Sequence, residues 1–167
     1  MKLAIGIDLS TRSCGLAIVE YSRDVTYMGS WQIKVPPKYK SWDRVYYVVD
    51  VIVYHLFGLH KHSSLIKWGP MVVEKTRLFH RGRVSFSAIR DLSRLQGALS
   101  LIARDELDDS EIVEVDVRKW RKAVLGNGNA RKSDVVKWAT DFSGVEKLGV
   151  DQAEAIALAY YGARLRN

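Results

Sequence analysis

The order in which apolar periodicity changes along this chain restricts its fold more than any other feature. From Leu3 to Asp8, Ile5 and Ile7 alternate with Gly6 and Asp8, the two-residue period of a strand, and a carboxylate stands at the strand's end. Gly15 to Glu20 and Val25 to Ile33 are two more strand-like runs, and polar Tyr21 to Asp24 between them predicts an antiparallel meander that Pro36-Pro37 ends. The period then lengthens. Val45, Val48, Val49, Ile52, Val53 and Leu56 recur at helical spacing between Ser41, a candidate N-cap, and Leu59. Beyond Gly69-Pro70, the run Met71-Val72-Val73-Glu74 predicts a buried strand that again ends in a carboxylate. A long helix is expected from Val84 to Arg104, striped by Phe86, Ile89, Leu92, Leu95, Leu99 and Ile102, which suits either the core or a subunit seam. Ile112 to Val115 is a further strand. Asp116 is placed to cap a helix reaching Leu125, Gly126 to Asn129 is a turn, and the next helix runs to about Phe142. A last helix extends from near Asp151 to Arg164. This order predicts an α/β fold with a mixed five-stranded sheet flanked by helices.

With 167 residues, 47% of them apolar, the chain is expected to form one domain over residues 1–167. No apolar run approaches the roughly 18 residues that span a bilayer, and Leu3 to Ile7 is too short for the apolar region of a signal peptide, so no membrane partner is expected. The lone Cys14 fits a small buried residue in a reducing compartment. A net charge of +7 calls for an acidic partner. Its distribution says more than its size. Basic residues gather in Lys75 to Arg94 and in Arg118 to Lys137, while Asp105 to Asp116 is acidic, a pattern suited to a polyphosphate such as nucleic acid.

Hard divalent cations take oxygen ligands and bind through a few carboxylates together with substrate phosphates. Four carboxylates fit that chemistry: Asp8 and Glu74 at strand ends, and Asp151 and Glu154 three residues apart on one face of the last helix. Each alone has an ordinary explanation, because strand ends meet water and the first turn of a helix favours acidic residues. The surroundings of Glu154 argue otherwise. Ala153, Ala155, Ala157 and Ala159 suit a helix pressed closely on the sheet, where a carboxylate is costly to bury without a cation or donor.

Four segments carry a family resemblance: Gly6 to Gly15 (GIDLSTRSCG), Val72 to Glu74, Trp120 to Lys132 (WRKAVLGNGNARK) and Val150 to Ala159 (VDQAEAIALA). In order and spacing they resemble the successive motifs of the RuvC Holliday-junction resolvases, of the RNase H-like superfamily, over nearly the whole chain. The resemblance implies that Asp8, Glu74, Asp151 and Glu154 are metal-binding catalytic carboxylates. They would hold two Mg²⁺ ions, replaceable by Mn²⁺, for phosphodiester hydrolysis, with Lys132 supporting catalysis. It places DNA contacts at Lys119, Arg121, Lys122 and Arg131, and at Lys75, Arg77, Arg81 and Arg83 in the segment after Glu74. There Phe79 is the candidate aromatic for opening the junction, with an ordinary core anchor as the other reading of the same residue. It further implies branched, most of all four-way, DNA as substrate, a symmetric homodimer, and action in the cytoplasm of a bacterial or phage-infected cell. Two departures stand out. Leu9-Ser10 occupies positions where the family often has Pro-Gly, and Glu154 is one methylene longer than the family's usual Asp. Such details also suit a phage-type member.

Three other readings compete. An ATP-binding protein of the actin and sugar-kinase type also opens with a strand, an Asp and a turn rich in Gly, Ser and Thr, which Thr11, Ser13 and Gly15 would supply, but it needs two such domains. A nuclease for flaps or forks keeps the fold and the metals and changes the substrate. A DNA-binding protein without catalysis is disfavoured by the presence of all four carboxylates.

Overall fold

A computed structural model of the chain describes residues 1–60, 66–75, 86–107 and 110–166. Three antiparallel strands come first: β1 (Lys2–Asp8), β2 (Ser13–Tyr21) and β3 (Val25–Lys34). Helix α1 (Trp42–His60) leads to β4 (Lys67–Glu74), and α2 (Phe86–Glu106) leads to β5 (Ile112–Val115). Three helices end the chain: α3 (Val117–Leu125), α4 (Lys132–Ser143) and α5 (Val150–Leu165). The sheet order is β3-β2-β1-β4-β5, with β4 parallel to β1 and β5 parallel to β4, which is the mixed five-stranded sheet expected from the sequence.

Strand alternation sorts the side chains onto two faces. Leu3, Ile5 and Ile7 of β1, Leu16 and Ile18 of β2 and Met71 and Val73 of β4 face α1 and α2, where Val45, Val48, Ile52, Leu56, Leu95 and Leu99 complete an aliphatic core. Ala4, Ala17, Val19 and Val72 face the opposite way and meet α3, α4 and α5. On that side α5 lies almost directly on the backbone. A Cβ on Gly6 would stand 2.1 Å from the Ala155 carbonyl oxygen, and one on Gly15 would stand 1.9 Å from that of Asp151. Glycine under alanine-rich α5 therefore permits a close approach that a larger pair of residues would prevent.

Local signals act as the sequence indicates in the C-terminal half. The Asp116 carboxylate accepts the Arg118 N–H at 2.8 Å and caps α3, and Gly126 ends α3 in the left-handed conformation at φ 75°. At the start of α4 the Asp134 carboxylate accepts the Arg131 N–H at 2.8 Å. Two expectations shift. Ser41 precedes α1 at φ 45°, outside the extended region a capping residue usually adopts, and its hydroxyl accepts from Arg94 at 3.2 Å instead. On α2 the buried row is Asp91, Leu95, Leu99 and Ala103, four residues apart, while Phe86 is 81% exposed. The apolar stripe thus turns away from the core at the helix's start.

Candidate active site

Four adjacent strands, β3-β2-β1-β4, set the site's frame. Asp8 pairs with Gly15 and Gly15 with Gln32, while Ile7 pairs with Val73, so Glu74 ends β4 beside Asp8 at the end of β1. The N-terminus of α5 crosses above Gly15, which carries Asp151 and Glu154 to the same edge. Oxygens of Asp8, Asp151 and Glu154 then lie within 4.8 Å of one another. Glu74 is near enough for its charge to be felt at Asp8.

Each carboxylate has its own surroundings. Burial pushes the Asp8 carboxyl up to about 8, Glu154, Asp151 and Glu74 add to the rise, and Lys132 opposes it. Crowding of this kind disfavours full ionisation until a cation is present. Glu154, only 5% exposed, is paired with Arg121 Nη2 at 2.7 Å and with Lys132 Nζ at 3.2 Å. Those two donors answer the burial cost anticipated for it. Arg121 also donates to the Ala130 carbonyl at 2.9 Å, which ties α3 to the turn before α4. The Trp120 indole N–H donates to Glu74 Oε2 at 3.1 Å from a fully buried ring. The Ser13 hydroxyl donates to Asp151 Oδ2.

The four carboxylates, Arg121 and Lys132 are thus brought together. Lys119, Lys122 and Arg131 lie exposed on α3 and just before α4, and Lys75 is exposed immediately after β4. Arg77, Phe79, Arg81 and Arg83 fall outside the described residues. Cys14 is fully buried in the aliphatic core and its thiol is pushed up to about 12 by that burial, so it offers no nucleophile. Sequence reasoning missed Trp120, Ser13 and Gln32 as partners of the carboxylates. Their signal was faint: a tryptophan with one donor amid a basic helix, and two polar residues on strands, facing the side of the sheet that Gly15 faces.

The family profile described as "Crossover junction endodeoxyribonuclease RuvC" matches residues 4–161 of this chain. The chain belongs to the RuvC family. A crossover junction endodeoxyribonuclease RuvC from Nocardia farcinica (strain IFM 10152) is 26% identical over 159 residues, covering 93% of this chain and 77% of that relative. The structure of Thermus thermophilus RuvC superposes with a TM-score of 0.74 at 18% identity, covering 98% of this chain and 96% of the other. The same protein in complex with a Holliday junction substrate gives a TM-score of 0.77 at 18% identity, covering 98% and 94%. The yeast mitochondrial Holliday junction resolvase Ydc2 is more distant, with a TM-score of 0.59 at 12% identity, covering 96% and 78%. The fold is accordingly that of the RuvC nucleases, a metal-dependent, RNase H-like family of endodeoxyribonucleases. Among the described residues no helix is long and apolar enough to cross a membrane.

Proposed function

We propose that this protein resolves four-way DNA junctions, with Asp8, Glu74, Asp151 and Glu154 holding two divalent ions, Mg²⁺ first and Mn²⁺ as a substitute. The observation that carries this reading is the meeting of carboxylates from β1 and α5 within 4.8 Å, next to the end of β4, in a chain of this family. An all-oxygen donor set suits a hard cation, whose bonds to oxygen are about 2 Å long. Modest closure of these side chains would therefore suffice.

When bound, the ions supply activation of water and neutralisation of charge on the phosphate and leaving oxygen. The protein's own groups prepare that step. Asp8, whose carboxyl is pushed up to about 8 by burial and by its acidic neighbours, would release its proton on binding a cation. Trp120 donates to Glu74 and Ser13 to Asp151, which helps to hold these two carboxylates at the site. Lys132, whose side chain is 62% exposed, keeps its ammonium at the rim, where a scissile phosphate would meet both it and the carboxylates. Exposed Lys119, Lys122 and Arg131 place positive charge along α3 and just before α4, and exposed Lys75 adds to it just past the end of β4, suited to phosphates of the junction's arms. Paired cuts across a nearly two-fold substrate call for two such sites, hence a homodimer of single-domain chains, acting in the cytoplasm of a bacterial or phage-infected cell.

A labelled, immobile four-way junction, incubated in Mg²⁺ and in Mn²⁺ beside a matched duplex and a flap, tests the proposal. Symmetric nicks confined to the junction and abolished by Glu74→Gln are expected. Equal cutting of the flap would broaden the substrate, and tight binding without cutting in either metal would overturn the catalytic reading.

A further inference from the structure

We infer that Ser13 and Gln32 form a neutral clamp on Asp151 and act as positioning residues that set this carboxylate for a divalent cation. The inference rests on the metal-binding reading of Asp151 given above.

Register places the clamp. Ser13 and Gly15 are two apart on β2 and share a face of the sheet, and Gln32 pairs with Gly15 from the edge strand β3. Because the Asp151 carbonyl lies over Gly15, its side chain comes down beside these two. The Ser13 hydroxyl donates to Asp151 Oδ2, and Gln32 Nε2 donates to Ser13 Oγ at 3.1 Å and to Asp151 Oδ2 at 3.4 Å. With its oxygen accepting from Gln32, the hydroxyl is directed to give its single proton to Asp151. Both donors meet the same carboxylate oxygen. Oδ1 accepts no hydrogen bond among the described residues, which leaves it as the ligand atom.

The chemistry of this clamp differs from that at Glu154. Arg121 and Lys132 bring positive charge, which competes with a cation for the carboxylate. Ser13 and Gln32 orient without competing. Groups that hold metal ligands in this manner are commonly worth 10- to 100-fold in metal affinity.

Gly149, the N-cap of α5, completes the device. It has φ −70°, which any residue adopts, yet a Cβ there would stand 2.2 Å from Gln32 Oε1. An alanine at this position should therefore push the Gln32 amide aside while sparing the backbone, testing the clamp without altering a donor.

The test is Mn²⁺ binding to the full chain, measured by calorimetry, for Ser13→Ala, Ser13→Thr, Gln32→Leu, Gly149→Ala and Asp151→Asn. Ser13→Ala should weaken Mn²⁺ by about tenfold, Ser13→Thr should restore it, and Gln32→Leu and Gly149→Ala should give the same smaller loss. Metal-free melting temperatures should stay near that of the wild type. Wild-type affinity in Ser13→Ala and Gln32→Leu, with affinity lost in Asp151→Asn, would overturn the clamp and leave the metal site standing. Wild-type affinity in Asp151→Asn would overturn the metal reading beneath it.

Discussion

The two faces of the sheet are built from different materials and serve different ends. Toward α1 and α2 the contact is made by Leu, Ile, Val, Met and Trp side chains, and the helices stand off the strands by the width of those groups. Toward α5 the contact is glycine against alanine, and backbone meets backbone. Bulky aliphatic packing contributes most to stability, because it removes the most apolar area from water. Close backbone packing contributes less area and fixes position, since a helix resting on the strands has little room to slide. In this molecule the four candidate carboxylates, Asp8, Glu74, Asp151 and Glu154, all lie on the second side. Site precision and overall stability therefore rest on different faces, and substitutions on either one test that division.

The largest stability cost should come from the aliphatic face. Leu99→Ala, at a fully buried position of α2, is expected to lose about 2–5 kcal/mol in urea unfolding while single-turnover junction cutting per folded molecule stays near wild type. Loss of cutting out of proportion to unfolding would show that the faces are coupled. Gly15→Ala should cost less, about 1–3 kcal/mol, yet abolish cutting. Its Cβ, 1.9 Å from the Asp151 carbonyl oxygen, must lift the end of α5 that carries two of the carboxylates.

A pH effect of a few degrees should follow from Asp8. Its carboxyl keeps a proton up to about pH 8 in the folded, metal-free protein, whereas the unfolded chain releases that proton near 3.8. The folded state is therefore favoured most at the acid end of that window and loses stability as pH rises toward 8. Melting temperature without metal should fall across this range, the fall should vanish in Asp8→Asn, and added Mg²⁺ should stabilise more at pH 8 than at pH 6. The smallest stability cost is expected from Lys132→Met, within about 1 kcal/mol, because the lysine side chain is itself largely exposed and buried Glu154 keeps its pair with Arg121. Cutting should nevertheless fall about a hundredfold or more if the ammonium meets the phosphate. Unchanged cutting would confine Lys132 to a surface role.

Much of this fold is legible because its signals are local. Strand alternation from Leu3 to Asp8, the Asp116 cap and the Gly126 terminator each act within a few residues, and each appears where the sequence puts it. The four carboxylates are legible for a different reason: strand ends and a helix's first turn announce themselves by position, and the spacing of the motifs resembles that of a family. Ser41 is less legible, since its hydroxyl is drawn to Arg94 on α2, more than fifty residues away in sequence. Phe86 likewise has helical spacing with Leu95 and Leu99 but lies exposed, because the direction of a stripe depends on where the helix meets the sheet.

Periodicity and short-range caps establish the order of elements, the face each strand presents and which carboxylates can reach one site. How each carboxylate is held depends instead on long-range packing. Glu154 meets two cations, Glu74 an indole and Asp151 a serine backed by a glutamine, through contacts that span from 22 to 138 residues of chain. Such pairings depend on how closely α5 can settle on glycine, a property of packed surfaces that no local pattern encodes.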